Sequence, residues 1–424
     1  YLSDPANGKV SFVSGGNPVF SFDPSGVNAT NVFVSEDQAT QDNALTRKDY
    51  VDVAVSTAKS SAESYADTVS DAAEYAAREY ADTKSQQAQS AAESYADTIL
   101  KHVLSYDLFL KPDPDSPAFV KTNNYIPAIK SGLHVSFPDG SSYVWDKQTE
   151  IDVTHNDVGV DHAIWVCNDG RAKASENFTA PPDSGVWRLI GGFHFAPGGN
   201  APGLNKGGND APQINEHSFW DLKFRPTCPD PRGMTLVANN VWVDIYLTGA
   251  EAIVNGSSKY NVEIADGSSP PKIPMMFGGD GSANYGSYTW FEACELAQSF
   301  GKRLPTQQEF MAAAFGTTEA SSIGKDQLIT KLNEAYTSKW GLIQATGVMS
   351  IWGIERGGSY AGNSWNANTD GRGSEYAAPN AALFGGTLSS DSNSGSRCSS
   401  WSSAASYSSG SIGSRFAADH LQLD

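Results

Sequence analysis

The chain has 424 residues, 39% of them hydrophobic, which is enough for two to four folded domains and too apolar for a disordered chain. Against 48 acidic residues stand 29 basic ones, a formal net charge of −19 that repels a phosphate backbone or an anionic lipid surface and argues against nucleic acid as a partner. No apolar run approaches the ~20 residues of a membrane helix, so membrane insertion is not expected, and no basic and apolar leader follows Tyr1.

Residues 1–50 alternate polar and apolar side chains in short runs, Lys9-Val10-Ser11-Phe12-Val13 and Val19-Phe20-Ser21-Phe22, separated by turn residues. This predicts a small β module. Composition changes near Asp49. Residues 51–104 are rich in Ala, Ser, Glu and Asp and contain no Gly or Pro. Tyr-Ala-Asp-Thr recurs at Tyr65, Tyr80 and Tyr95, a period of 15 residues. A stripe from Ala58 through Tyr65, Val69, Tyr80, Tyr95 and Ile99 to Val103 advances 45 residues in 12 steps, or 3.75 residues per step. A straight helix has ~3.6 and a heptad 3.5, so this stripe drifts the other way and predicts a right-handed supercoil. The stripe alone does not set the number of strands. A lone solvated helix is the competing reading, but such a helix would bury little by itself.

Residues 105–212 predict an intermediate, sandwich-like β domain with strands at 133–137, 142–145, 162–167 and 187–193. Pro138-Asp139-Gly140 and Asn168-Asp169-Gly170 supply turns, and a Gly/Asn/Pro stretch over 197–209 reads as a long loop. Residues 213–424 predict an α+β domain. Its helices are 291–300, ending before Gly301, and a second opened by the capping box Thr306-Gln307-Gln308-Glu309, running through Ala314 and closed by Gly316. From about Leu342 the chain is Gly, Ser, Asn and Trp with little helical period.

The C-terminal segments FEACELAQSFGKRLPTQQEFMAAAFG (291–316) and WGIERGGSY (352–360) resemble the C-type-lectin-like fold shared with formylglycine-generating enzymes. Over a longer span, AIWVCNDG (163–170), GGFHFAPGGNA (191–201), INEHSFWDLKFRP (214–226), FGGDGSANY (277–285) and ALFGG (382–386) resemble the major tropism determinants of tropism-switching bacteriophages. The similarity runs from about Tyr125 to the C-terminus. It leaves out 1–104, where TRKDYVDVAV (46–55) and the tyrosine repeat look like tail-fibre shaft sequence instead of the family's own N-terminal β-prism.

The resemblance implies a homotrimeric, non-enzymatic virion protein at the tail-fibre tip that binds a host bacterial surface receptor, protein or glycan, and attaches to other tail-fibre or baseplate proteins. It implies no cofactor. It also implies a variable region over about 384–415, diversified by a retroelement that mutates adenines. Matched one by one, the varied positions fall on Thr387, Ser389, Ser390, Ser400, Ser402, Ser403, Tyr407, Ser409 and Ser411. Each carries a residue that an adenine-mutated Asn codon can reach. Leu388 stands where the pattern has Trp, and Asp391, Cys398 and Ala405 also depart from it. Half of the 28 residues from 387 to 414 are serine. Phe384, Trp401, Ile412, Phe416 and Leu421 nonetheless give the stretch buriable anchors, against a disordered linker.

Catalytic readings fare poorly. The four cysteines, Cys167, Cys228, Cys294 and Cys398, form no CxxC pair, and a formylglycine-generating-type oxidase needs a reactive pair where this tail has only Cys398. A lectin calcium site needs an acid after a Trp-Asn pair, and Trp365-Asn366-Ala367 lacks it. Asp266, Asp280 and Asp370 sit in Asp-Gly or similar loops that read first as turns, leaving a structural metal open. Glu216 and His217 are adjacent, but Phe219 and Trp220 beside them argue for packing. A polysaccharide-degrading tail spike would show a solenoid repeat of 20–50 residues, and only the helical 15-residue repeat is present.

Overall fold

A computed structural model describes residues 2–4, 9–14, 17–23, 26–29, 48–106, 108–155, 157–199, 213–360, 364–367 and 372–422. The protein is mainly β with few helices, and the chain divides into two compact units, Tyr1–Tyr95 and Ala96–Asp424. In the first unit, Leu2–Asp4, Lys9–Ser14, Asn17–Asp23 and Gly26–Ala29 pair as an antiparallel four-stranded meander in chain order. The alternating runs at 9–13 and 19–22 lie on its two middle strands.

The Ala-rich stretch forms one helix, Lys48–Tyr106, of 59 residues and about 90 Å. The absence of Gly and Pro and the high helix propensity of Ala, Glu and Gln allow that length. Polar i,i+4 pairs line it, Lys59 with Glu63 at 3.8 Å and Gln89 with Glu93 at 2.9 Å. Such exposed pairs stabilise a helix by only ~0.2–0.5 kcal/mol each. Val53, Tyr65 and Tyr80 remain more than 60% exposed along it.

The second unit begins with three small sheets around one core. Phe109–Leu110, Leu133–Ser136 and Ser142–Trp145 form one antiparallel sheet. Phe119–Lys121, Pro127–Ile129 and Thr149–Glu150 form another. The largest sheet runs Asp152–Val153, Ala172–Ser175, Val160–Cys167, Trp187–Ala196 and Gln213–Ile214 in spatial order, with Trp220–Asp221 also paired to Trp187–Ala196. All four strands expected from sequence are present. The last two strands come from beyond residue 212, where composition suggested the next domain, because two-residue strands carry no readable alternation. Phe109, Phe119, Phe137, Trp145, Phe193 and Phe195 fill the space between the sheets.

In the C-terminal part, four strands stand in the order Phe224–Pro226, Ala417–Gln422, Val241–Asp244, Met234–Val237. The last strand of the chain is therefore held between the first strands of its domain. A second sheet runs Ser399–Ser403, Pro379–Phe384, Ser350–Tyr360, Ile412–Gly413. Helices Trp290–Ser299 and Gln307–Ala313 pack beside it, each within a residue of its expected ends. Both open with capping boxes. Thr306 with Glu309 was legible, whereas Thr289 with Glu292 is an additional one.

The two regions of this unit are joined by buried contacts. Trp220, Phe224, Met234, Leu236 and Trp242 form one cluster across the junction. His194 bridges Asp161 at 3.1 Å and the Tyr246 hydroxyl at 2.8 Å, while Asp161 also accepts the Gly233 amide at 2.9 Å. Fully buried Asp221 accepts the amides of Ala118, Lys223 and Phe224 and pairs with Lys111 at 3.1 Å.

Two buried cations sit at the centre of the C-terminal part. Lys302 pairs with buried Asp244 at 2.6 Å and donates to Ser257 at 2.8 Å. Arg415 is 1% exposed and donates to the carbonyls of Asp244 at 2.7 Å and Ile245 and Ile343 at 2.5 Å. Burial pulls its pKa down to about 10, which leaves it charged at neutral pH. Removing one partner of a buried pair strands the other charge, so Lys302→Met is expected to cost about 3–5 kcal/mol in denaturant unfolding, with part of that recovered in Asp244→Leu/Lys302→Met.

Candidate functional site

The segment from Phe384 to Phe416 alternates buried anchors with outward-facing hydroxyls. Phe384 is fully buried and stacks on Phe310 at 5.4 Å. Gly385 and Gly386 then turn the chain with φ of 91° and 81°, a left-handed region that glycine enters without strain. A Cβ on Gly386 would meet the Ser394 side chain at 2.4 Å.

Thr387, Ser389 and Ser390 form the first hydroxyl group. The Thr387 hydroxyl lies 3.0 Å from that of Ser390 and 3.4 Å from that of Ser389. Their main chain is held from outside: Ser322 Oγ donates to the Thr387 carbonyl at 2.9 Å, and the Gly324 amide to the Leu388 carbonyl at 3.0 Å. The chain returns inward at Ser394, Gly395 and Ser396, all buried, where the Glu319 carboxylate accepts the Ser396 amide at 2.9 Å and its hydroxyl at 2.5 Å.

The second group lies on the edge strand Ser399–Ser403. Ser400 and Ser402 are exposed, two residues apart on one face, with hydroxyls 3.1 Å apart. Trp401 faces the other way, half-buried against the core around Phe310 and Phe384. Its carbonyl accepts the Asn380 amide side chain at 3.0 Å. Ser403 is half-buried on the same side.

Ala405 is 4% exposed, and its carbonyl accepts the Trp290 amide at 3.1 Å where helix Trp290–Ser299 begins. Tyr407, Ser409 and Ser411 follow as the third group. Tyr407 is 51% exposed, and Ser409 and Ser411 hydroxyls are 3.1 Å apart. Again fixed residues take the main chain: the Gly267 amide donates to Ser409 O at 3.0 Å and the Ser350 amide to Ser411 O at 3.1 Å. Beyond them Ile412 and Phe416 are buried, Ser414 donates to Thr248 Oγ1 at 2.8 Å and contacts the Tyr288 hydroxyl, and Arg415 is caged by carbonyls.

None of the nine matched positions is buried, and Ala405, one of the departures from the pattern, belongs to the core. Ser322, Glu319, Thr248, Tyr288 and Arg415 hold the segment and were not singled out in the sequence. Arg415 alone carried a signal, as a charged residue between Ile412 and Phe416 in an otherwise uncharged run.

The other candidates have structural roles. Cys398 is half-buried, and burial raises its thiol pKa. Burial also pushes the Cys294 thiol to about 12 and that of Cys228 to about 11, the reverse of a reactive cysteine. Asp266 accepts the amides of Ser268 and Ser269, and Asp280 those of Ser282 and Ala283, so both close turns. Those amides lower the Asp280 pKa to about 2. Asp370 lies outside the described residues. Among the described residues no group of three or more His, Cys, Asp or Glu is placed to hold a metal ion. No described helix is long and apolar enough to cross a membrane. His217 does pack, edge-on against Trp340 at 4.9 Å, with its Nε2 3.8 Å from the Glu216 carboxylate. Burial keeps its pKa low, with Glu216 opposing.

A family profile described as "Mtd second domain" matches residues 118–221. The chain is 47% identical over 337 residues to the tail fiber receptor-binding protein of Bordetella phage BPP-1, a match spanning 77% of this chain and 88% of that protein. Solved structures of the P3c and U1 variants of major tropism determinant are similar to it with a TM-score of 0.73, at 46% and 47% identity, over 76% of this chain and 88% of theirs.

The anchoring scheme makes a stability prediction. Single alanine substitutions at Ser389, Ser400, Ser402 and Tyr407 are expected to change unfolding free energy by no more than ~0.5 kcal/mol, as at ordinary surface positions. Trp401→Ala removes a half-buried ring from the core and is expected to cost about 2–3 kcal/mol by chemical denaturation.

Proposed function

The chain belongs to the family of the major tropism determinants, and on that premise we propose that it is the tip of a bacteriophage tail fibre, binding a host-cell surface receptor and setting host tropism. The observation that carries this reading is the division of labour between 384 and 416: main-chain carbonyls are taken by residues outside the segment, while none of the nine matched positions is buried and Ser389, Ser400, Ser402 and Tyr407 are exposed. Such a surface can change its residues without changing its backbone, as retroelement diversification of Thr387, Ser389, Ser390, Ser400, Ser402, Ser403, Tyr407, Ser409 and Ser411 requires. Function is binding alone, without turnover. The C-terminal domain is a C-type-lectin-like scaffold, a reading supported by the chain's last strand pairing between its first ones and by the two flanking helices. The N-terminal β module joins the rest of the fibre, and the intermediate β domain carries the tip.

The helix Lys48–Tyr106 is the shaft, a right-handed parallel coil of three chains. Its exposed valines and tyrosines and its 15-residue period support self-association, since a helix with so little to bury alone gains by pairing its stripe. Three strands follow from the family resemblance. Sedimentation equilibrium of the full chain at micromolar concentration is expected to give a trimer. A monomer, or a left-handed coil in an experimental structure of the shaft, contradicts this.

Eight of the nine matched positions are Ser or Thr and bury little apolar area, worth ~25 cal/mol per Å². Tyr407 alone supplies a large rigid ring with a hydroxyl. Each tip therefore binds weakly, with a Kd on the order of micromolar or above, and several tips acting together recover ~10²–10⁴ in avidity. Tyr407→Ala is expected to cost about 1–3 kcal/mol in binding, and Ser389→Ala or Ser402→Ala much less, measured as adsorption to host cells by folded protein. Unchanged adsorption in Tyr407→Ala at preserved stability contradicts this mapping of the face.

A further inference from the structure

Outside the matched positions, the hairpin of Trp365–Ala367 and Ser374–Tyr376 carries two large rings that the core does not use. Trp365 and Tyr376 are cross-strand partners, 70% and 54% exposed. Their rings meet edge to face, 5.3 Å between centroids and 61° between planes. Glu375, one residue along, turns to the opposite face by strand alternation. There it accepts from both terminal guanidinium nitrogens of Arg356, which also donates to the Pro379 carbonyl at 2.8 Å and lies over the Trp290 ring at 5.2 Å. The hairpin is thus clamped from behind and presents its rings in a fixed orientation.

We propose that Trp365 and Tyr376 form a carbohydrate platform, a fixed site for an uncharged pyranose of the host surface, separate from the varied face. That the sugar comes from the host rests on the tail-fibre reading; the platform itself does not. Area argues against a protein partner, because two rings of ~150–250 Å² each, exposed to this degree, offer on the order of 300 Å², about half of the ~600 Å² that each partner buries in even a small stable protein interface. Charge argues against an anionic ligand. Glu375 is matched by Arg356 and Arg372 by Glu295, and no unmatched cation stands beside the rings among the described residues. The rim is Ser364, Arg372, Gly373 and Ser374, all exposed and none apolar. A pyranose fits such a place: its axial C–H face lies on an aromatic ring while its hydroxyls stay in water or reach the polar rim. The hairpin also connects strands Ser350–Tyr360 and Pro379–Phe384, which lie beside the edge strand bearing Ser400 and Ser402, so platform and varied face grow from one sheet.

The test is saturation-transfer NMR on the full chain with the methyl glycosides of glucose, galactose, mannose and N-acetylglucosamine, each alone. Ring C–H protons of at least one glycoside are expected to receive saturation. Binding should weaken roughly ten-fold or more in Trp365→Ala and Tyr376→Ala, and less in Trp365→Phe, which keeps a ring. Tyr407→Ala should leave the sugar signal intact while it lowers cell adsorption, so that failure of the tropism reading and failure of this one are told apart. No saturation with any of the four glycosides overturns the proposal. So does a signal unchanged by both alanine variants. A smaller species of Trp365→Ala in sedimentation also overturns it, since the rings would then be a contact between copies of the chain.

Discussion

The C-terminal part depends on one constraint: a serine-rich segment must hold its path with little help from its serine side chains. Short polar residues offer the core almost nothing, and left to itself such a segment would not bury enough apolar area to offset the entropy of ordering it. The structure meets this with anchors spaced along the chain. Phe384 closes one end, Ile412 and Phe416 the other, and Trp401 and Ala405 fix the middle. Between anchors, carbonyls of Thr387, Leu388, Ser409 and Ser411 are taken by Ser322, Gly324, Gly267 and Ser350. Main-chain hydrogen bonds of this kind survive a change of side chain, and outward positions can vary at little cost.

Arg415 ties the segment to the rest of the domain. Its guanidinium bonds carbonyls of the strand Val241–Asp244 and the loop at Ile343, so one side chain at the exit of the segment joins two distant stretches. Lys302 with Asp244 places a second buried charge beside it. An interior that keeps two cations near one carboxylate is costly unless donors find oxygens, and surrounding carbonyls take both terminal nitrogens of Arg415, while its Nε is left without a partner. The hydroxyl pairs on the surface have a different consequence. Ser400 with Ser402, and Ser409 with Ser411, satisfy each other in the free protein, so a ligand gains only the difference when it replaces them.

Much of this was legible in sequence where the signal is local. The long helix Lys48–Tyr106 follows from a Gly- and Pro-free, Ala-rich stretch, the helix Gln307–Ala313 from its capping box, and the long strands of the β region from alternation between Asp-Gly turns. What was not legible is non-local. Nothing near His217 points to Trp340, more than a hundred residues away, and nothing near Arg415 names the carbonyls it meets. The two-residue strands Gln213–Ile214 and Trp220–Asp221 are too short to show a period, and only their pairing to Trp187–Ala196 reveals them. Trp401 could be read as an anchor because it is a large ring among serines. Ser322 and Glu319 could not, since a serine and a glutamate in a loop look like any surface residue.

The central claim is that backbone and side chains between 384 and 416 are uncoupled. The most direct measurement is to randomise all nine matched codons together over the residues an adenine-mutated Asn codon reaches, and to record for each clone both thermal unfolding and binding to host cells. The account predicts that most clones melt close to the parent while binding varies widely from clone to clone. A library in which most clones are unfolded, or in which binding stays at the parental level whatever the nine residues are, contradicts it.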